Sequence, residues 1–244
     1  MYSSRIFSDS RRFSLYFSLV LFALILIVYG QTLFSSFHFD DRSSIIDNRS
    51  FRSARPVPAI WQEWPTRFIT NLSFYGNYRL GGLRPFGYHL ASLLIHGANS
   101  LMVYLLLRQL FAGRKDRRGR ETLFGCAVGA MVFALHPIQT QAVGYVAQRA
   151  TLLAAFFVLL ALNIYIRAQR EKKTFLFAGA WLAGAAAMFS KEMAVTLPAL
   201  IFLWEYIFKG TGGRRRKIRM IFFALLFLIV PLTVALHPAN PHYH

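Results

Sequence analysis

The sequence predicts an all-α polytopic membrane helix bundle of about seven spans, and three observations carry that prediction. The chain is 55% hydrophobic over 244 residues, with 24 Phe and a mean hydropathy of +0.40. A soluble domain of this length has no use for so much apolar surface. The apolar residues are gathered into runs, several long enough to cross a bilayer. The basic residues cluster at the ends of those runs. A formal charge of +18 on a soluble protein would point to nucleic acid; in this arrangement it points to membrane topology instead, and no nucleic-acid partner is expected. The single cysteine, Cys126, lies inside an apolar run, which excludes an intrachain disulfide.

Taken in order, Arg5, Arg11 and Arg12 precede the first apolar run, Leu15 to Phe34. This run is about 20 residues long and has no small-residue cleavage site, so it reads as a retained helix rather than a signal peptide. Residues 35–84 form a loop too polar to span. Within it Trp61 and Trp64, with Ile60, Phe68, Ile69 and Leu72, suggest short helices lying on the membrane surface. Six further spans are expected, near Pro85–Phe111, Leu123–Leu135, Thr151–Ile166, Phe175–Phe189, Val195–Phe208 and Met220–Leu236. Several are short for a bilayer core, which implies tilt or local thinning. There is no repeat or low-complexity segment, and residues 1–244 read as one membrane module with no repeat or soluble domain.

The connection after the second span carries Arg114, Lys115, Arg117, Arg118 and Arg120. That after the fourth carries Arg167, Arg170, Lys172 and Lys173. That after the sixth carries Lys209, Arg214, Arg215, Arg216, Lys217 and Arg219. The alternate short connections hold only Arg149 and Lys191. This alternation puts the N-terminus and all three basic loops in the cytoplasm. The first loop carries seven arginines and argues the other way, but long loops translocate largely regardless of charge. The consequence is convergence. The Asp40-Asp41 loop, the His136-Pro137 connection and the Ser190-Lys191-Glu192 connection all fall on the outer face, periplasmic, extracellular or lumenal.

The chain has ten Asp plus Glu, and two are adjacent at Asp40 and Asp41, with Asp47 close behind. Adjacent carboxylates repel and gain little structurally, so at a membrane boundary they suggest catalysis or ion handling. The plain alternative is a solvated loop with two ordinary acids. On the second span, His89, Ser92, His96 and Asn99 recur at spacings of three, four and three, on one helical stripe. Such polar groups face the bundle interior, either as interhelical hydrogen-bonding glue or as part of a site. His89, nearest the outer end, is the better site candidate. His89 and His96 lie about 10 Å apart along the axis, too far to share a metal, and no His/Cys cluster has ligand spacing. The stretch His136 to Arg149, read as a helix starting after Pro137, presents Gln141, Tyr145, Gln148 and Arg149 on one face and Val143 and Val146 on the other. A lone arginine there suits a phosphate, which it can grip with two nitrogens. Ser190-Lys191-Glu192 reads either as an ion pair ending a helix or as an anion site in which Glu192 orients Lys191 or an arginine. The basic loops are topology signals and contacts to anionic lipid.

With these residues in view, the chain resembles the membrane module of the transmembrane and tetratricopeptide-repeat (TMTC) family and its bacterial relatives, which are GT-C type glycosyltransferases. The matching pieces are Phe39-Asp40-Asp41 with Ile45 and Asn48, Leu83-Arg84-Pro85-Phe86-Gly87-Tyr88-His89-Leu90 with His96, Phe133 to Pro137 with Gln141-Ala142-Val143 and Gln148-Arg149, and Ser190-Lys191-Glu192 with Leu197-Pro198. They run in the family's order from about residue 30 to 208. Animal members usually carry glutamate where this chain has Gln141, so a role for that acid does not carry over. The absence of a repeat domain suggests a minimal or truncated module, completed by a separate repeat-containing or membrane subunit.

The resemblance implies glycosyl transfer from a polyprenyl-phosphate-linked sugar to a hydroxyl acceptor, a protein Ser or Thr, on the outer face, within loop 35–84. One of Asp40 and Asp41 would take the acceptor proton and the other would orient it. The lipid phosphate leaves as an anion and needs cations rather than an acid, for which Arg84, Arg149 and Lys191 are the candidates. His89, His136, Gln141 and Glu192 would support them. A single displacement inverts the anomeric carbon, and by resemblance such donors need no metal or other cofactor. The competing readings are a non-catalytic partner subunit of a glycosyltransferase complex and a lipid-linked sugar flippase or transporter. A transporter would place its charges near the midplane on interrupted helices, usually with an internal repeat.

Overall fold

The computed structural model describes residues 2–111, 119–209 and 214–237. Most of the basic connection after the second span, at 112–118, and the tail 238–244 lie outside these. Every regular element among the described residues is helical. They are α1 (Tyr2–Tyr29), α2 (Pro56–Glu63), α3 (Phe68–Gly81), α4 (Pro85–Phe111), α5 (Gly119–Leu135), α6 (Gln139–Gly144), α7 (Arg149–Glu171), α8 (Thr174–Met188), α9 (Leu197–Lys209), α10 (Arg214–Ala224) and α11 (Ile229–Leu236), joined in places by single helical turns.

Among the described residues four segments are long and apolar enough to cross a membrane: Arg12–Phe34, Pro85–Phe111, Val146–Glu171 and Arg216–Leu236. The third and fifth expected spans are present as the shorter apolar helices Glu121–Leu135 and Thr174–Met188. The sixth is the 13-residue α9. Loop 35–84 folds as short pieces: turns at Arg42–Ile46, Arg49–Arg52 and Pro65–Arg67, with α2 and α3 between them. Proline opens α2 and α4 at the first position, where its missing N–H costs nothing.

Two apolar cores make up the bundle. Phe17, Leu21, Ile25 and Tyr29 of α1 pack with Leu93 and Tyr104 of α4 and with the small residues Ala127, Ala130 and Ala134 of α5. Tyr165 of α7 lies among Ala180, Ala183 and Ala187 of α8, Ile201 of α9, and Phe223 and Leu226 of the last span. A third, smaller core lies under the first loop, where Ile45, Phe51, Ile60 and Phe74 meet Tyr88 and Val146.

The polar stripe on α4 is fully buried, as its spacing predicts, and most of it joins helices. His96 Nε2 lies 2.9 Å from the Ala134 carbonyl. Asn99 donates to the Leu152 carbonyl at 2.9 Å. Further along α4, Gln109 donates to Asn163 of α7 at 2.6 Å. In an apolar surround such bonds fix the rotation of each helix about its axis.

Close approach of α1 and α4 depends on Gly97, where an added Cβ would stand 2.4 Å from the Phe22 ring. Gly97→Ala should therefore cost about 1–3 kcal/mol through overpacking. Gly125→Ala, with open space around it, should be neutral or slightly stabilising. Thermal unfolding of the two variants in detergent checks this, and equal midpoints would contradict the α1–α4 contact.

Candidate active site

The segment from Tyr145 to Thr151 is where the three predicted motifs meet. Read from the sequence as one helix, it breaks instead. α6 ends at Gly144, Tyr145 is extended (φ −102°, ψ 112°), Val146–Gln148 form one tight turn, and Arg149 opens α7. Val143 and Val146 are buried as expected, and Gln141 is exposed. Arg149 is the correction. It does not share an outward face with Gln141, because the break turns it into the protein interior, where it is 0% exposed.

Five hydrogen bonds fill the Arg149 guanidinium. Nη1 donates to Asn77 Oδ1 at 2.6 Å and, at greater length, to the Ser73 carbonyl and hydroxyl. Nη2 donates to the Tyr88 carbonyl at 2.7 Å, and Nε reaches Ser92 Oγ at 3.4 Å. The cation also lies 4.6 Å from the Phe74 ring centroid and 5.6 Å from that of Tyr88. It ties α3 and α4 to the start of α7, and its donors are spent on protein oxygens rather than held for a phosphate.

The acid pair divides into two unlike residues. Asp41 is 1% exposed. Its Oδ2 accepts from the His38 N–H at 3.0 Å and its Oδ1 from the Ala147 N–H at 2.6 Å. It thus fastens the first loop to the turn before α7. Burial pushes its pKa above the ordinary carboxylate range, against the pull of those two N–H groups and of the His89 ring. Asp40 is exposed. Its backbone N–H donates to the Tyr145 hydroxyl at 2.7 Å. Burial raises the Tyr145 pKa, and the two carboxylates add to that, so the phenol stays protonated. Phe39 precedes the pair at φ +44°, an unusual conformation for a bulky residue. Its ring is 89% exposed and meets Tyr145 edge-on, centroids 6.4 Å apart.

The third motif arrives from the other side. Lys191 Nζ donates to Thr151 Oγ1 at 2.8 Å and to Gln148 Oε1 at 3.4 Å. The chain before it is sewn to the first loop, with the Ile69 N–H on the Phe189 carbonyl at 3.0 Å and Thr70 Oγ1 on the Ser190 carbonyl at 2.8 Å. Glu192 pairs with Arg67, Nη2 to Oε1 3.2 Å, rather than with its neighbour Lys191. Burial works to raise the Glu192 pKa, but its own backbone N–H and Arg67 hold it below the usual range.

Of the remaining predicted residues, His89 is fully buried, with its ring beside the Ser35 and Ser36 backbone and within electrostatic reach of Asp41. His136 is exposed in the α5–α6 connection, its carbonyl taken by the Tyr29 hydroxyl at 3.1 Å. Arg84 is exposed in the turn before α4. Sequence reasoning missed Arg67 and the hydroxyl of Tyr145. The only available signal was position, Arg67 as one of seven arginines in a long loop. Among the described residues there is no group of three or more His, Cys, Asp or Glu placed to hold a metal.

The chain is similar to several curated proteins. The chain is 29% identical over 217 residues to Protein O-mannosyl-transferase TMTC4 of Homo sapiens, covering 79% of this chain and 29% of that protein. It is 30% identical over 193 residues to human Protein O-mannosyl-transferase TMTC3, covering 72% and 20%. This chain resembles the TMTC proteins. A third TMTC protein, Protein O-mannosyl-transferase Tmtc1 of Drosophila melanogaster, is 30% identical over 198 residues, covering 76% and 22%. The chain thus spans between a fifth and three tenths of the length of these TMTC relatives. No family model matches the chain, and no solved structure does either.

Replacing Arg149 with Gln should leave the oxygens of Asn77, Ser73 and Tyr88 short of donors in the interior. Each buried orphan costs about 1–3 kcal/mol, so a loss of roughly 3 kcal/mol or more is expected. The readout is thermal unfolding in detergent together with protease sensitivity of loop 35–84. An unchanged midpoint would remove Arg149 from its structural role.

Proposed function

We propose that this chain is the membrane module of a GT-C type glycosyltransferase that moves mannose from a polyprenyl-phosphate donor to a Ser or Thr hydroxyl of a protein on the outer membrane face. The observation that carries the reading is the unlike treatment of the acid pair. Asp41 is buried and spends both oxygens on backbone N–H groups, whereas the Asp40 carboxylate remains at the surface beside the Tyr145 phenol. Asp40 is the general base. Asp41 sets its position by holding the turn that contains it.

In the proposed step, the Asp40 carboxylate takes the proton of the acceptor hydroxyl as its oxygen attacks the anomeric carbon. The bond from that carbon to the phosphate oxygen breaks, and the electron pair leaves on the lipid phosphate. Attack opposite the leaving group inverts the anomeric centre. The leaving phosphate is already an anion, so cationic stabilisation is what it needs. Lys191 and Arg84 are the candidates for it, with Arg149 acting behind them by fixing the frame. The chemistry requires no metal. The names of the relatives, protein O-mannosyl-transferases, support the sugar and the acceptor class. The proposed topology is seven spans with the N-terminus inside, which puts loop 35–84, the Tyr145–Thr151 segment and Lys191 on the outer face.

Asp40→Asn should lower transfer about 100-fold or more, the usual worth of a positioned base, while leaving the unfolding midpoint unchanged. Asp41→Asn should lose both activity and stability, because its amide nitrogen would face an N–H it cannot accept. Asp47→Asn, whose exposed carboxylate meets only Arg42 at 3.2 Å, should behave as wild type. Transfer from mannosyl polyprenyl phosphate to a peptide, with the purified variants, measures all three. Retained activity in Asp40→Asn would overturn the base assignment, whereas absence of transfer by purified wild type would favour a non-catalytic partner subunit. A reporter fused after residue 244 is expected to read outside, and a cytoplasmic reading would overturn the topology.

A further inference from the structure

A cavity lies beside Glu192, the residue that follows Lys191. The turn after α2 and the start of the Glu192 turn face α11 across a cavity of about 290 Å³. One wall is polar, with Glu63, Trp64, Arg67 and Glu192. The other is the apolar side of Val230 and Val234 on the last span. Trp61 closes the neighbouring surface, edge-on to His237 with centroids 5.8 Å apart and tilted against Phe189 at 5.7 Å.

The two walls call for an amphiphile. An isoprenoid tail can run along Val230 and Val234, which belong to a membrane-spanning segment, while a polar head meets the charges opposite. The volume is at the lower edge of the about 300–1,000 Å³ typical of ligand pockets, so it suits a head group of sugar-phosphate size and leaves the tail in lipid. Carboxylates and an indole are the groups that hold a hydroxylated ring, by accepting from its hydroxyls and stacking on its C–H face.

The cation in this cavity is Arg67. Its guanidinium is about two-fifths exposed and makes a single-pronged pair with Glu192 at 3.2 Å, not the two-pronged geometry of a tight structural pair. Lys191 stands close by. Burial lowers its pKa first, and the Arg67 cation lowers it further. Arg67 and Lys191 therefore repel one another, and an incoming phosphodiester anion would relieve that repulsion. Arg67 is also rigidly based. Its carbonyl accepts from Asn71 Nδ2 at 3.2 Å, and the next turn is sewn to Phe189 and Ser190.

We propose that this cavity is the head-group subsite for the lipid-linked donor, with Arg67 gripping the phosphate and Glu192 acting as the counter-ion that the phosphate displaces. The inference rests on the donor class given under Proposed function and adds the residue that binds it. The phosphate enters from the lipid side between the 63–67 segment and α11. Its arrival frees Glu192 to accept from a sugar hydroxyl, and Lys191 then lies between the phosphate and the Tyr145–Thr151 segment that carries the acid pair.

Binding of farnesyl phosphate to the detergent-purified full chain tests this, with farnesol as the uncharged control. Wild type should bind farnesyl phosphate well above farnesol. Arg67→Gln should weaken it about 10-fold or more, the worth of one charge-assisted hydrogen bond, and Arg67→Lys should fall between. Glu192→Gln should bind as well as wild type or tighter, because the competing carboxylate is gone. Asp47→Asn, whose exposed carboxylate pairs with Arg42 outside this cavity, should bind like wild type. Equal binding by wild type and Arg67→Gln overturns the inference and leaves the transfer reading intact. Parallel losses in Arg67→Gln and Glu192→Gln, with lowered unfolding midpoints, also overturn it, by making the pair a structural salt bridge. Failure of wild type to distinguish farnesyl phosphate from farnesol overturns it outright. Arg67-dependent binding without any transfer by wild type would keep the subsite and remove the reading it was built on.

Discussion

A buried guanidinium holds one end of this helix bundle in register. Arg149 is the largest fully buried side chain in the chain, and it reaches its position only because the backbone breaks between Gly144 and α7. Its hydrogen bonds go to α3 through Ser73 and Asn77 and to α4 through Tyr88 and Ser92. Among the described residues no carboxylate bonds to it. Its charge is spread over five protein oxygens and two aromatic faces, with Asp41 contributing from a distance. A buried cation so arranged is costly to desolvate, and the cost is tolerable only while every donor is filled. That makes the arrangement directional. The first loop cannot shift without stranding the guanidinium, so Asp40 and Asp41 inherit a fixed frame.

The division of labour within the acid pair follows from that frame. The turn at Val146–Gln148 presents its N–H groups to the first loop, and Asp41 takes one of them while also closing its own turn on His38. A carboxylate with two backbone donors is a good anchor and a poor nucleophile's partner, because its lone pairs are occupied. Asp40 is held by its backbone, through Tyr145, and keeps its side chain outside. Two adjacent acids thus avoid mutual repulsion by facing different media. The positive φ at Phe39 is what turns the chain sharply enough for neighbours to diverge in this way.

Much of this was legible in the sequence, and the illegible part has a definite character. Apolar length and helical spacing located the helices, since both are one-dimensional properties. The second span came out as Pro85–Phe111 at both ends, because proline starts it and the basic run ends it. The burial of Ser92, His96 and Asn99 followed from their shared face. What failed was the helix drawn through Tyr145. Nothing local in Val143-Gly144-Tyr145-Val146 distinguishes a continuing helix from a break, because the break is stabilised by partners more than 50 residues distant in the chain, Tyr88 and Ser92 among them. Arg149 was accordingly read as a surface cation. Arg67 was overlooked for the converse reason. Its partner Glu192 lies 125 residues away, and pairing over that distance leaves no trace in composition or period.

The cavity beside Arg67 is set in turn by an ion cluster at the other end of the last span. Its apolar wall, Val230 and Val234, is carried by a last span whose packing is fixed from the other end. There Glu205 of α9 is fully buried and accepts from Tyr165 and Gln169 of α7, each at 2.5 Å. Arg216 and Arg219 of α10 reach the same carboxylate at 3.3 Å. In mid-span, Trp181 Nε1 donates to the Phe222 carbonyl at 3.1 Å and Leu226 packs against Gly184. A helix pinned by charges at its base and by small-residue contacts along its length has little freedom to rotate, so the residues one to three turns further on present a constant face. Arg216 and Arg219 of this basic segment therefore have a packing role. By meeting Glu205 they set the angle at which the last span closes the opposite end, where the chemistry is proposed to occur.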